Sequence, residues 1–221
     1  MIYVTGDTHG NFERFRPEYF PEQAKLTKND IVIIAGDFGG VWFGDSRDDG
    51  SLDWLESLPF TLAFVDGNHE NFDALAAYSV EMWCGGKIQR IRPHVLHLTQ
   101  IFELDGYRFF TMGGAMSHDI GCRTEHISWW RQELPSGKEY AEARQNLDRV
   151  GWEVNYIITH CAATGTIRGR KRCNRANQLT DFLREIREKA RYDYWIFGHY
   201  HDNRMIDSTH ILLWEQIVQI I

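Results

Sequence analysis

Ile31-Val32-Ile33-Ile34-Ala35-Gly36-Asp37 runs five apolar residues without a break into a glycine and a carboxylate. A short, continuously apolar run reads as a strand buried on both faces, as in parallel sheets covered by helices. Ligands of open α/β sheets gather at the carboxyl ends of such strands, so Asp37 stands where chemistry is expected. Four other segments repeat the pattern. Ile2-Tyr3-Val4 leads to Gly6-Asp7-Thr8-His9-Gly10, and Leu62-Ala63-Phe64-Val65 leads to Gly67-Asn68-His69-Glu70. Tyr156-Ile157-Ile158 precedes Thr159-His160, and Tyr194-Trp195-Ile196-Phe197 precedes Gly198-His199-Tyr200-His201. Five strand ends bearing oxygen and imidazole ligands imply one metal cluster.

The rest of the chain supplies an ordinary globular frame. Its 221 residues fit a single domain, 1–221, with room for a core that needs no disulfide or metal staple. Hydrophobic residues are 43% and charged residues 25%, with a formal net charge of -7, so general attraction to nucleic acid or an anionic membrane is not expected. Cys84, Cys122, Cys161 and Cys173 form no C-x-x-C pair, which favours a reducing compartment. Met1 leads directly into the first strand, and no apolar run reaches the roughly 18 residues of a membrane helix. The expected location is the cytoplasm, with no membrane contact; no protein partner can be inferred.

Between the motifs the pattern alternates strand and helix. Residues 11–26, with Pro17 and Pro21, read as a broken helix or loop. A helix is expected over 51–58 with Ser51 as N-cap, and another over 72–78 capped by Asn71. Four short strands follow at 88–91, 95–98, 101–104 and 107–111, with Asp105-Gly106 as a two-residue hairpin turn. Helices over 139–150 and 176–189 precede the last two motif strands, and residues 204–221 read as two or three antiparallel strands turning at Asp207-Ser208.

Carboxylate, amide oxygen and neutral imidazole suit borderline-to-hard divalent cations. Asp7, His9, Asp37, Asn68, His160, His199 and His201 suffice for two ions that keep positions open for water, with Asp37 the natural bridge. Two metals about 3.5–4 Å apart lower the pKa of a shared water and clamp both oxygens of an in-line displacement at phosphorus. The site should favour an anionic substrate such as a phosphate ester.

In these motifs, their order and their spacing the chain resembles the calcineurin-like metallophosphoesterase superfamily. The resemblance implies a four-layer αββα sandwich, two mixed β-sheets flanked by helices. It implies Asp7, His9, Asp37 and His201 on one metal, and Asp37, Asn68, His160 and His199 on the other. It also implies that His69 donates a hydrogen bond to the phosphate or protonates the leaving group. Where protein Ser/Thr phosphatases of this superfamily carry an Asp after the second motif this chain has Gly40, with no Arg following, which weakens that assignment. The iron-binding Tyr of purple acid phosphatases is also missing: Phe38, Trp42 and Phe43 stand there. Asp45, Asp66 and Glu70 remain open as partners orienting His69.

The reading is a metal-dependent phosphoric ester hydrolase in which a metal-bridging hydroxide attacks in line, with Asp37 and His69 as catalytic residues. Mn²⁺ is the first expectation for both ions, with Fe or Zn as alternatives. The substrate is expected to be a phosphomonoester; a phosphodiesterase or nuclease is the alternative, as is a non-catalytic scaffold of the same fold. Two further features bear on substrate. Arg123, in the Gly-rich loop 113–123, reads either as a grip on phosphate or as a solvent-exposed ion pair. Arg168, Arg170 and their neighbours place five positive charges within residues 168–175, either a solvated face or a contact for nucleotide or nucleic acid. Trp129-Trp130 reads as a substrate groove or a core edge, and Cys161 as an inert neighbour of His160.

Overall fold

Strands β1 (Ile2–Thr5), β2 (Ile31–Ile34) and β3 (Thr61–Phe64) lie parallel, with Ile33 facing Val4 on one side and Ala63 on the other. They belong to a computed structural model that describes residues 1–167 and 176–221. β4 (Val80–Trp83) and β5 (Gly86–Arg92) form a hairpin beside them. β6 (Val95–Leu104) then spans both halves of the molecule. Its first residues pair with β3 and β5; residues 100–104 pair with β7 (Tyr107–Met112). The change of sheet falls at Gln100, whose φ is 110°. β8 (Tyr156–Thr159) and β9 (Tyr194–Phe197) extend the second sheet in parallel, followed by β11 (His210–Leu212) and β10 (Arg204–Met205). β12 (Val218–Gln219) returns to pair antiparallel with β1.

Alternation along these strands builds the layers. Ile2, Val4, Ile31, Ile33 and Ala63 point to one side, where they meet Phe109, Tyr156, Ile158 and Ile196 of the other sheet. Tyr3, Val32, Ile34, Leu62 and Phe64 point the other way, onto Leu52 and Leu55 of α1 (Asp49–Ser57) and onto Phe15 and Phe60. The outer face of the second sheet, with Phe110, Ile157, Trp195 and Phe197, is covered by α3 (Gly137–Arg149) and α4 (Gln178–Lys189). Three buried clusters separate four layers, in the order expected from the motif resemblance. α4 shows why it lies there: Leu179, Phe182, Leu183 and Ile186 recur at helical spacing on one face. Ser136 with Glu139, and Asn177 with Thr180, close the starts of α3 and α4 with reciprocal capping bonds.

Several expectations need correction. The helix at 51–58 starts earlier, at Asp49; Asp48 precedes it, and its carboxylate accepts the amides of Trp42, Phe43 and Gly44. The helix α2 (Phe72–Leu75), capped by Asn71, ends before Tyr78. Strands 95–98 and 101–104 are one element, because the chain changes partners at the single irregular residue Gln100 and pairs on both sides of it. β4 was not foreseen: its Val-Glu-Met-Trp face is mostly exposed and carries no core signal. In the tail, β11 pairs parallel with β9, so only the β10–β11 turn and β12 are antiparallel. The Asp105-Gly106 turn has φ of 49° and 79°, as a two-residue hairpin of this type requires. Among the described residues no helix is long and apolar enough to cross a membrane.

Candidate metal centre

Asp7 follows β1, Asp37 follows β2, Asn68 follows β3, His160 follows β8, and His199 and His201 follow β9, so the carboxyl ends of five strands converge. Asp7 Oδ2 is 3.1 Å from His201 Nε2 and 3.8 Å from His9 Nε2. Asp37 Oδ2 is 3.2 Å from His160 Nε2 and 3.6 Å from His9 Nε2. His160 Nε2 is also 3.3 Å from Asn68 Oδ1. His9, Asp37, His199 and His201 all hold positive φ, between 48° and 67°. Such backbone costs on the order of 1 kcal/mol per residue and is tolerated where the surroundings impose it. The motif glycines permit the interlock. A Cβ on Gly67 would lie 2.0 Å from Asp37 Oδ1, and one on Gly198 would lie 2.1 Å from Asp7 Oδ1.

The electrostatics pair buried carboxylates with imidazoles. Asp7 and Asp37 are both buried. Burial would raise both carboxyls, but His160 and the neighbouring imidazoles outweigh it and hold both below the usual carboxylate range. Burial likewise opposes a charge on His160, yet Asp37 and Asp7 push it up to about 10. His160 Nδ1 donates to the Ala35 carbonyl at 2.9 Å, which directs Nε2 at Asp37 and Asn68. A divalent ion held by that lone pair would take over the role of the proton. The donor set fits this: oxygen and imidazole atoms of Asp7, His9 and His201, of His9, Asp37 and His69, and of Asp7, Asp37 and His160 each fall within 4.8 Å of one another. Asp37 is shared by two of these groups and Asp7 by two.

Behind these atoms lie residues that fix their direction. The Asn68 amide donates to Ser117 Oγ at 3.2 Å, and Ser117 donates through both its amide and its hydroxyl to buried Glu133. That chain turns Asn68 Oδ1 toward His160. Buried Glu70 accepts the amides of Phe38 and Gly39, pinning the turn after Asp37. Its pKa is raised well above the ordinary value by burial and by nearby Asp37. The Arg14 guanidinium donates to Thr5 Oγ1 and to the carbonyls of Gly6, Asp7 and Trp214, and the Trp214 ring stacks on His201 at 5.2 Å.

His69 stands at the rim, its ring 5.0 Å from that of His9 and its amide donating to Asp37 Oδ1 at 2.7 Å. None of Asp45, Asp66 or Glu70 orients its ring: Asp45 pairs with Arg47, Asp66 with His97, and Glu70 with backbone. Arg123 does so, with Nη1 and Nη2 each 3.4 Å from a ring nitrogen. A neutral imidazole offers one lone pair, so two such approaches describe a guanidinium lying across the ring. Arg123 is itself held by Asp119 at 2.8 Å and by the Ser128 carbonyl. Burial, with Arg123 adding to it, lowers the pKa of His69 despite nearby Asp37.

Of the residues marked in the sequence, Asp7, His9, Asp37, Asn68, His160 and His201 come together. His199 lies alongside, its ring 5.0 Å from that of His160, but joins none of the three close groups. Arg123 reaches the rim, whereas Arg168, Arg170 and the rest of the 168–175 basic run lie outside the described residues. Cys161 is buried and its thiol is pushed up to about 12 by that burial, which suits an inert role. Trp130 is buried against Trp42 and donates to Asp73, a core edge. Sequence reading missed Arg14, Glu133 and Trp214. Only Ser117 had a signal, its place in the Gly-rich loop.

The calcineurin-like phosphoesterase family profile matches residues 1–203. No curated protein matches the sequence. Among solved structures, a Staphylococcus aureus protein described as a 5′-nucleotidase superposes with TM-score 0.52 at 15% identity, covering 96% of this chain and 48% of that one. The present chain therefore spans about half of that structure. A second solved chain gives TM-score 0.52 at 12% identity, covering 96% of this chain and 88% of the other. The sulfate thiohydrolase SoxB of Thermus thermophilus aligns at TM-score 0.44 and 12% identity, over 97% of this chain and 51% of that one. The profile match covers all five motifs, and with it the chain belongs to the calcineurin-like phosphoesterase family.

Proposed function

We propose that the chain hydrolyses phosphomonoesters at a dinuclear centre built around Asp37. The observation carrying this is that one carboxylate oxygen of Asp37 faces both His160 at 3.2 Å and His9 at 3.6 Å. Those distances suit a carboxylate lying between two ions, one held with Asp7, His9 and His201, the other with Asn68, His160 and His199. When bound, divalent cations held by these residues would lower the pKa of a coordinated water and polarise the phosphoryl oxygens. Mn²⁺ suits the mixed oxygen and nitrogen donors, with Fe and Zn as the other metals to try.

The chain's own residues then set the geometry. Asn68, turned by Ser117 and Glu133, presents its carbonyl oxygen inward. His69, at the rim beside Asp37, offers a ring N–H to the oxygen that leaves phosphorus. Arg123, lying on His69, adds a fixed positive charge next to the phosphate. That charge favours a dianionic monoester over a monoanionic diester.

The experiment is to strip the protein of metal, reload it with Mn²⁺, Fe²⁺ or Zn²⁺, and compare p-nitrophenyl phosphate with bis-p-nitrophenyl phosphate. Turnover restored by metal, with the monoester ahead in kcat/KM, is expected. Full activity in the stripped protein would defeat the metal reading, and a diester preference would defeat the monoester assignment.

A further inference from the structure

Next to His9 and His69 the surface drops into a pocket of about 470 Å³. Gly10, Gly39 and Gly40 line it together with the two histidines, and an aromatic wall completes it. That wall is Trp42 and Phe43. The Phe43 ring is half exposed, at 50%, and the Arg47 guanidinium covers one of its faces at 4.1 Å. A second hollow of about 570 Å³ shares Gly10, Phe12 and Ser51 with the first and continues to Trp54, which is 37% exposed.

Phosphate binding does not account for this wall. Phosphate needs donors, yet the charged side chains facing the pocket beyond the histidines are engaged elsewhere. Asp48 accepts the amides of Trp42, Phe43 and Gly44, and Arg47 forks onto Asp45. Beside its polar lining the pocket offers the aromatic surface of Trp42 and Phe43, and covering such surface with a ligand is favourable. His69 lines this pocket and also stands at the rim of the cluster, so an ester whose leaving oxygen meets His69 has the pocket beside its organic group.

We propose that this pocket receives the leaving group of the ester and selects a planar aromatic ring, stacked on Phe43 and flanked by Trp42. The proposal rests on the phosphoesterase reading and narrows it to esters of aromatic alcohols or nucleosides. Stacking on an aromatic side chain is sequence-tolerant and geometry-driven, so an aryl group and a nucleobase satisfy the same wall.

Two substrate pairs separate ring from reactivity. Benzyl phosphate and cyclohexylmethyl phosphate differ in aromaticity with similar leaving alcohols; adenosine 5′-monophosphate and ribose 5-phosphate differ by the base alone. The metal-loaded 221-residue chain should favour the ring-bearing member by about tenfold in kcat/KM, mostly through KM, the size of one stacking contact. A preference within the first pair only identifies aryl esters, and one extending to the second includes nucleotides. Phe43→Ala should reduce the ratio to near one, and Phe43→Tyr should restore it. Quenching of tryptophan fluorescence by adenosine, which carries no phosphate, gives a readout separate from turnover and should weaken in Phe43→Ala. Equal kcat/KM within both pairs, or a ratio unmoved by Phe43→Ala, overturns the proposal. Turnover of none of the four esters by protein with bound metal overturns the phosphoesterase reading itself, and the pocket assignment falls with it.

Discussion

The inner cluster and its outer rim are built by different means. Asp7, Asp37, Asn68 and His160 are buried, follow strands directly, and interlock so closely that glycines make room for neighbouring carboxylates. His69, Arg123, Trp42 and Phe43 sit on loops, joined by an ion pair to Asp119, a stacked guanidinium and an aromatic edge contact. The inner set is over-determined by sheet packing, so backbone strain persists there. The rim is held by a few side-chain contacts between loops, the usual place for variation. On the proposed function, chemistry falls on the rigid part and selectivity on the adjustable part.

The largest way to break this division is Asp37→Ala. Loss of about a thousandfold or more in kcat is expected, with bound metal reduced on elemental analysis and far-UV circular dichroism unchanged. Survival of most activity would mean that Asp37 does not lie between two ions. Next comes Gly67→Ala, which drives a methyl into the Asp37 carboxylate without touching any ligand's chemistry. Metal affinity by calorimetry should weaken by about 10- to 100-fold, the range seen when the support of a ligand is lost.

Ser117→Ala probes the link between the regions, because Ser117 connects the loop to Asn68. A fall of about tenfold in metal affinity is expected; no change would show that Asn68 is oriented without it. At the rim, Arg123→Ala should raise KM by several-fold to about tenfold for p-nitrophenyl phosphate, and less for the singly charged diester. An equal rise for both would remove the charge argument for monoesters.

The smallest effect lies far from both regions. Arg144 holds the Glu185 carboxyl down at about 2, against the opposing effect of burial and with help from Lys189. A depressed carboxylate stabilises the fold above its unfolded value near 4.5 and loses that contribution as pH falls toward 2. Glu185→Gln should therefore cost under about 1 kcal/mol at pH 7, a gap that closes at low pH in denaturant titrations, with activity unaffected.

The legible parts of the molecule were those governed by local chemistry. Apolar runs ending in Gly-Asp, Gly-Asn-His and Gly-His announced strands and ligands together, because parallel strands are buried on both faces and their ends face one side. The Asp105-Gly106 turn and the Asn71 cap were readable because each depends on a few adjacent atoms. The continuity of β6 through Gln100 was not, since a strand that changes partners looks from its sequence like two strands. Nor was the partner of His69, sought among nearby acids: Arg123 lies 54 positions away, so only folding brings the two together.

Residue order alone specified which donor side chains would stand at the strand ends, because donor type and strand-end position are properties of short segments. Tertiary packing decided how those donors are aimed: the Ser117–Glu133 support of Asn68, the Arg14 anchor under Asp7, and the aromatic wall beside His69. The physical reason is range. Propensity and ligand identity act over a few residues, whereas hydrogen-bond direction and pocket shape depend on atoms that meet only after two sheets and their helices have closed on one another.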